Sequence, residues 1–256
     1  MLGKFFLLFI IYSFVGWIVE IVYNGFVHKK FVNRGFLIGP YCPIYGFGAL
    51  LVTVFLTQFR DNFIVAFVMS IFLFSILEYS TSYLMEKIFK ARWWDYSEYK
   101  FNINGRICLE TMIPFGLLGC FVIYVTDPLL KSLFSLMNPL FIKILAIILL
   151  VIFIADLIVS LKIINSFKKT AITFLKRDNT EEITKKVKAI LLKKSVWTKR
   201  LMQAFPKVKA VISNINIDFI KTKLELKKTK RELKETRKEL HETEKKLEKQ
   251  NKKLKK

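Results

Sequence analysis

FFLLFIIYSFVGWIVEIVYNGFV, residues 5–27, is an apolar run whose one charged side chain is Glu20. About 20 such residues suffice to carry an α-helix across the hydrocarbon core. The run is too long for a signal-peptide core, and no small-residue cleavage pattern follows it. Tyr12, Gly16, Glu20 and Asn24 recur every fourth residue, and Ser13 lies seven before Glu20. Residues three and four apart share a helix face. A polar stripe on an apolar helix turns inward, because a carboxylate at membrane depth is costly and marks a functional position.

Four more segments read the same way, at about 41–59, 62–86, 107–126 and 139–162. The chain is 53% apolar and 15% aromatic, with 25 Phe in 256 residues and a mean hydropathy of +0.37. The fold class is therefore an all-α, polytopic membrane bundle of about five spans. Charge divides the chain. Residues 1–159 carry 12 Lys/Arg against 9 Asp/Glu, and residues 160–256 carry 30 against 11. Lys29, Lys30 and Arg34 follow span 1, and Lys87, Lys90, Arg92, Lys100 and Arg106 follow span 3. The other short loops hold only Arg60 and Lys131. Basic loops stay cytoplasmic, so the expected topology has the N-terminus outside, the C-terminus inside and every basic segment on one side.

Span 3 repeats the stripe with Ser75, Glu78, Ser82 and Glu86. Span 4 opens near Glu110 and carries Pro114, Gly116 and Gly119, which let helices approach closely. Glu20 lies about 12 Å from the cytoplasmic edge at His28, at 1.5 Å per residue. Glu78 is about as deep. Glu20, Glu78, Glu86 and Glu110 thus converge in the cytoplasmic half. They are expected to meet Arg34, Arg92 or Arg106 around one cytoplasmic-facing cavity. Two readings stay open: interhelical ion pairs that fix packing, or a cavity for a solute or ion. Asp156 with Ser160 is a weaker instance of the same pattern.

Residues 35–48 hold Gly35, Gly39, Pro40, Pro43, Gly46 and Gly48, which interrupt helical hydrogen bonding. Non-helical backbone at membrane depth survives only where protein or water satisfies it. The sequence predicts a broken or re-entrant lead-in through about Pro43 and a short helix from Ile44. Freed backbone groups there would line the cavity. Residues 90–110 read as an interfacial loop. An aromatic belt accounts for Trp93, Trp94, Tyr96 and Tyr99, but not for Asp95, Asn102, Asn104, Gly105 and Arg106. Candidate solute-binding residues are Glu20, Asn33, Arg34, Glu78, Glu86, Arg92, Trp93, Trp94, Asp95, Asn104, Arg106 and Glu110. Cys42, Cys108 and Cys120 have no paired metal spacing and the two histidines are far apart, so neither metal nor cofactor is indicated.

Four blocks, YSFVGWIVE (12–20), NRGFLIGPYCPIYG (33–46), RWWDYS (92–97) and NINGRICLE (102–110), resemble in order the putative ABC-transporter type IV family of CmpB-like bacterial membrane proteins. The resemblance covers about residues 5–160. It implies a bacterial inner-membrane protein of the transporter-permease kind, and carries over no catalytic or binding residue.

Three parts follow: a transmembrane bundle (1–162), a basic amphipathic cytoplasmic region (163–214) and a coiled-coil-like charged helix (215–256). In the second, Ile183, Val187, Ile190, Leu191, Trp197, Leu201 and Phe205 oppose a Lys-rich face, a pattern suited to an anionic membrane surface; packing beneath the bundle competes. In the third, Leu226, Leu233, Leu240, Leu247 and Leu254 repeat every seven residues beside Thr222, Thr229, Thr236 and Thr243. This thin seam suits either homo-oligomerisation or a solvated single helix. Nucleic acid is disfavoured, since no reading motif accompanies the charge. The chain lacks a phosphate-binding Gly-Lys-Ser/Thr loop, so a transporter would need a separate ATPase subunit. A membrane-embedded enzyme on a lipid-linked substrate, with carboxylates as acid or base, is the alternative. The lack of a nucleophile–base motif counts against it. A membrane scaffold or sensor is the third reading.

Overall fold

The computed structural model describes residues 2–29, 32–173 and 180–210, with residues 226, 229, 232–234, 236, 237 and 240 beyond them. The chain divides into two units, Met1–Val211 and Ile212–Lys256. In the first, α1 (Leu2–His28), α2 (Pro43–Phe55), α3 (Phe63–Phe89), α4 (Leu109–Phe121), α5 (Asp127–Leu136) and α6 (Pro139–Thr173) form the bundle. Two short helices follow, α7 (Thr180–Lys194) and α8 (Val196–Ala204). In the second unit, Leu226, Leu233 and Leu240 are helical with exposed side chains; Leu247, Leu254, Thr222 and Thr243 lie outside the described residues.

Among the described residues, four apolar helices are long enough to cross a membrane: Leu2–Val27, Phe63–Phe89, Leu109–Leu136 and Pro139–Phe167. The last is the most apolar, yet only 11% of its most apolar window is buried within the protein. Such a surface belongs against lipid. Segment 41–59 holds the short helix after a broken lead-in that the sequence suggests, not a continuous span. Its helix has 13 residues, about 20 Å at 1.5 Å per residue against about 30 Å of hydrocarbon. The lead-in through Cys42 is non-helical, as its glycines and prolines dictate. Cys42 donates its amide to the Ser13 carbonyl at 2.8 Å, beside the middle of α1. The lead-in therefore descends into the bundle, and α2 completes the crossing as a half-helix.

Small residues set the close contacts. A Cβ on Gly16 would strike the Tyr45 ring, and one on Gly119 would strike Ser70. The two pairs hold α1 to α2 and α4 to α3. The core beyond the half-helix joins Leu7, Leu8, Tyr12, Val52, Leu56, Phe74, Ile123 and Phe134. Between α4 and α5 the helix opens into a π turn at Val122–Thr126, just ahead of Pro128. Proline lacks the amide and crowds the carbonyl four residues back, which accounts for the bulge.

Two short antiparallel pairs organise the basic end: β1 (Ala91–Arg92) with β4 (Lys209–Ala210), and β2 (Asn102–Ile103) with β3 (Ile107–Cys108). Asn104 and Gly105 both take positive φ, 54° and 65°, and the Arg106 amide donates to the Ile103 carbonyl at 3.0 Å. This is an Asn-Gly hairpin turn, and it aims Arg106 back at α3.

Much of the apolar face of the basic region packs within the first unit. Val187, Leu191, Leu201, Phe205 and Val208 are buried, and Phe205 stacks on Phe36 at 4.3 Å. Ile190 and Trp197 of the same amphipathic pattern remain exposed.

Gly16→Val overpacks the Tyr45 contact and should cost about 1–3 kcal/mol. Gly3→Ala, whose Cβ would meet Ala146 at an ordinary 3.6 Å, should be neutral or slightly stabilising. Melting temperatures of the two detergent-solubilised variants measure the difference.

Candidate polar site at the basic end of the bundle

Asp156 secures the lead-in. Its carboxylate accepts the amides of Ile38 at 3.0 Å and Gly39 at 2.7 Å, and the Ser160 hydroxyl at 2.7 Å. Asn33 does the same from the other side. Its Oδ1 accepts from Trp17 Nε1 and the Gly35 amide, both at 2.9 Å, and its Nδ2 donates to the Ile38 carbonyl at 2.9 Å. Backbone expected to line a cavity is thus satisfied largely by side chains. Asp156 and Ser160, weak on spacing alone, both bond to the lead-in backbone.

Glu20 faces the half-helix. Tyr45 donates its hydroxyl to Oε1 at 2.8 Å, and Arg34 Nε lies 3.6 Å from Oε2. Arg34 also donates to Asn24 Oδ1 at 3.1 Å, joining two stripe positions of α1. Across from it Glu78 is 6% exposed, and its Oε1 accepts the Tyr96 hydroxyl at 3.1 Å. Its Oε2 is buried without a hydrogen-bond partner among the described residues. The nearby Thr111 hydroxyl donates instead to the Cys108 carbonyl at 2.9 Å. Glu20 and Glu78 are near enough to act electrostatically on each other. Burial, reinforced by the Glu78 charge and hydrogen bond, raises the Tyr96 phenol far above its ordinary range, so it stays a donor.

Glu86 anchors the loop between α3 and α4. Its Oε2 lies 3.0 Å from both Arg92 Nε and Arg106 Nη2. Arg106 also donates to Ser82 Oγ at 3.3 Å and sits over the Tyr79 and Tyr83 rings. Asn104 Nδ2 donates to the Tyr79 hydroxyl at 2.9 Å, and Trp94 Nε1 to the Arg106 carbonyl at 3.2 Å. Trp93 is not a belt residue. It is 2% exposed, at the centre of Phe36, Phe167 and Phe205.

Asp95 fastens the tail to this loop. It accepts from the Ser97 amide and hydroxyl and from Lys209 Nζ, the last at 2.6 Å. Burial opposes its ionisation, but the bonds from Lys209 and Ser97 outweigh that and hold its pKa at about 2.

Not all candidates converge. Glu110 is exposed in the first turn of α4, where a carboxylate complements the helix N-terminus; no ion pair to Arg34, Arg92 or Arg106 is formed. The other three carboxylates lie in one network, in which Glu20 meets Arg34, Glu86 meets Arg92 and Arg106, and Glu78 meets Tyr96 and none of these arginines. A groove of about 470 Å³ lies elsewhere, along the outer face of α3, lined by Ile71, Ser75, Tyr79, Ile107 and Met112 among others. Tyr45 and Tyr96 belong to the network and sit inside motifs conspicuous in the sequence. Arg200 and Lys209 come from the tail, where a general Lys/Arg excess hides them.

The family model described as Putative ABC-transporter type IV matches residues 7–161. No curated protein and no solved structure matches the chain.

Glu86→Gln leaves two guanidiniums without their shared carboxylate and should destabilise by about 3 kcal/mol. Glu110→Gln loses only an exposed helix-end charge, below about 1 kcal/mol. Thermal unfolding of both variants measures the contrast. For Asp95, a lowered folded pKa means stability present above about pH 4 and lost as pH falls through about 2. The melting-temperature gap between wild type and Asp95→Asn should be constant above pH 4 and close toward pH 2.

Proposed function

Because the chain belongs to the Putative ABC-transporter type IV family, we propose that it is the permease-like membrane subunit of an ATP-driven transporter. Its solute- or ion-handling centre lies between Glu20 and Glu78. The observation that carries this reading is the Glu78 carboxylate, buried between spans with Oε2 unpartnered. Burying a polar atom without a partner costs about 1–3 kcal/mol, and more for a charged group. Such a cost persists where a ligand repays it. The broken lead-in and half-helix α2 support the same reading, since discontinuous helices at the bundle midplane are the common way to build a transport site.

Arg34, Asn33 and Asp156 hold the lead-in on one side of this centre. Glu86, Arg92, Trp93, Trp94, Asp95, Asn104 and Arg106 hold the α3–α4 loop on the other. Movement of either segment changes access to Glu78. ATP hydrolysis comes from a separate subunit, because no phosphate-binding loop is present in the chain. The concentration of Lys and Arg at one end supports a cytoplasmic placement of that end in a bacterial inner membrane. The described end of the first unit lies there, and the heptads of 215–256 are available for self-association or for recruiting the ATPase.

Affinity capture of the full chain from native membranes, followed by ATPase assay of the captured assembly, tests this. The expected result is an associated ATPase whose turnover falls at least tenfold in Glu78→Gln with assembly unchanged. A chain that captures no ATPase, or whose assembly hydrolyses ATP equally with Glu78→Gln, contradicts the proposal.

A further inference from the structure

Arg200, on α8, reaches into the bundle end from the tail. Its Nη2 donates to the Phe36 carbonyl at 3.4 Å, while Nε and Nη1 are buried with no hydrogen-bond partner among the described residues. Arg34, on the lead-in, has a buried Nε in the same condition; its nearest acid, Glu20, stands off at 3.6 Å and is bonded to Tyr45. Both guanidiniums act electrostatically on Cys42, so they flank the residue that precedes the half-helix. Cys42 provides no side-chain cap for α2. A helix N-terminus adds positive potential to that of the two arginines.

Among the described residues, the carboxylate near Arg200 does not bond to it. Asp156 acts on it electrostatically but spends its oxygens on the Ile38 and Gly39 amides and Ser160. A guanidinium is a fork of N–H donors matched to a carboxylate or phosphate, and it cannot discard its charge. Two forks with spare donors flank one half-helix that has no side-chain cap: Arg34, whose one charged partner is Glu20 at 3.6 Å, and Arg200, to which no described carboxylate bonds.

We propose that Arg34 and Arg200 form a binding site for a phosphate group at the junction of the lead-in, α2 and α8. The site requires the tail helix as well as the family-matched segment, which ends at residue 161. Occupancy ties α8 to the lead-in and so links the tail to the segment that frames Glu20. The inference stands on donors distinct from the Glu78 carboxylate and does not depend on the transport reading. A bound phosphate group can be inorganic or the head of an anionic lipid, since both present the same oxygens to the forks.

The test uses the full chain in nanodiscs. In phosphatidylcholine discs, titration with inorganic phosphate should raise the melting temperature by several degrees in wild type and not in Arg200→Gln. Discs containing phosphatidic acid separate the second source. Lipid retained by wild type through native mass spectrometry, and depleted at least tenfold in Arg200→Gln, assigns the site to a lipid headgroup. Arg34→Lys keeps charge but loses the fork, and should weaken whichever response occurs; it also serves if Arg200→Gln fails to fold. Absence of both responses in wild type, or responses unchanged in a folded variant, overturns the proposal.

Discussion

A peptide backbone that leaves helical geometry inside a membrane bundle must find partners in the protein, because each unsatisfied amide or carbonyl in hydrocarbon costs several kcal/mol. The chain between Asn33 and Cys42 is under that constraint. Its glycines and prolines forbid a helix, yet it descends until Cys42 meets the Ser13 carbonyl at 2.8 Å. Asp156 and Asn33 meet the constraint, each serving several backbone groups at once. Charged acceptors bonded to amides are roughly twice as strong as neutral ones. That explains why a carboxylate, rather than a serine alone, stands at this position of α6.

Much else follows from the descent. With the lead-in occupying half the depth, α2 has room for only 13 residues, and it packs on α1 through Gly16 and Gly46. The same closeness brings Tyr45 within reach of Glu20. On the opposite side Glu86 gathers Arg92 and Arg106, so the hairpin loop folds back over the bundle and delivers Tyr96 to Glu78. Buried ion pairs of this kind add little net stability compared with apolar packing. Their effect is to specify where two irregular segments sit, which apolar contacts with lipid-like surfaces cannot do.

Much of this was legible in the residues. The apolar runs, the stripe through Glu20 and Asn24 and the helix-breaking cluster at 35–48 follow from periodicity and from proline and glycine chemistry, both local properties. That Glu20 and Glu86 would meet arginines of the adjoining loops followed from shared depth, but the same argument placed an arginine at Glu78, where Tyr96 stands. Glu110 misled because depth along a span does not give the facing direction of a residue in a first turn. Trp93 misled because an interfacial tryptophan and a buried one share the same neighbours in sequence. Arg200 and Lys209 were hidden for a different reason. Their partners, Phe36 and Asp95, lie more than a hundred residues away, and a tail with 30 Lys/Arg gives no signal to separate one cation from the rest.

The dependence of the lead-in on Asp156 can be read amide by amide. Hydrogen exchange of peptides spanning 36–41, compared between wild type and Asp156→Ala in nanodiscs, reports whether the carboxylate holds those groups. Exchange at Ile38 and Gly39 should quicken by at least an order of magnitude while α1 and α3 stay protected. Unchanged exchange at 36–41 in a folded variant would show that the lead-in is held by something else.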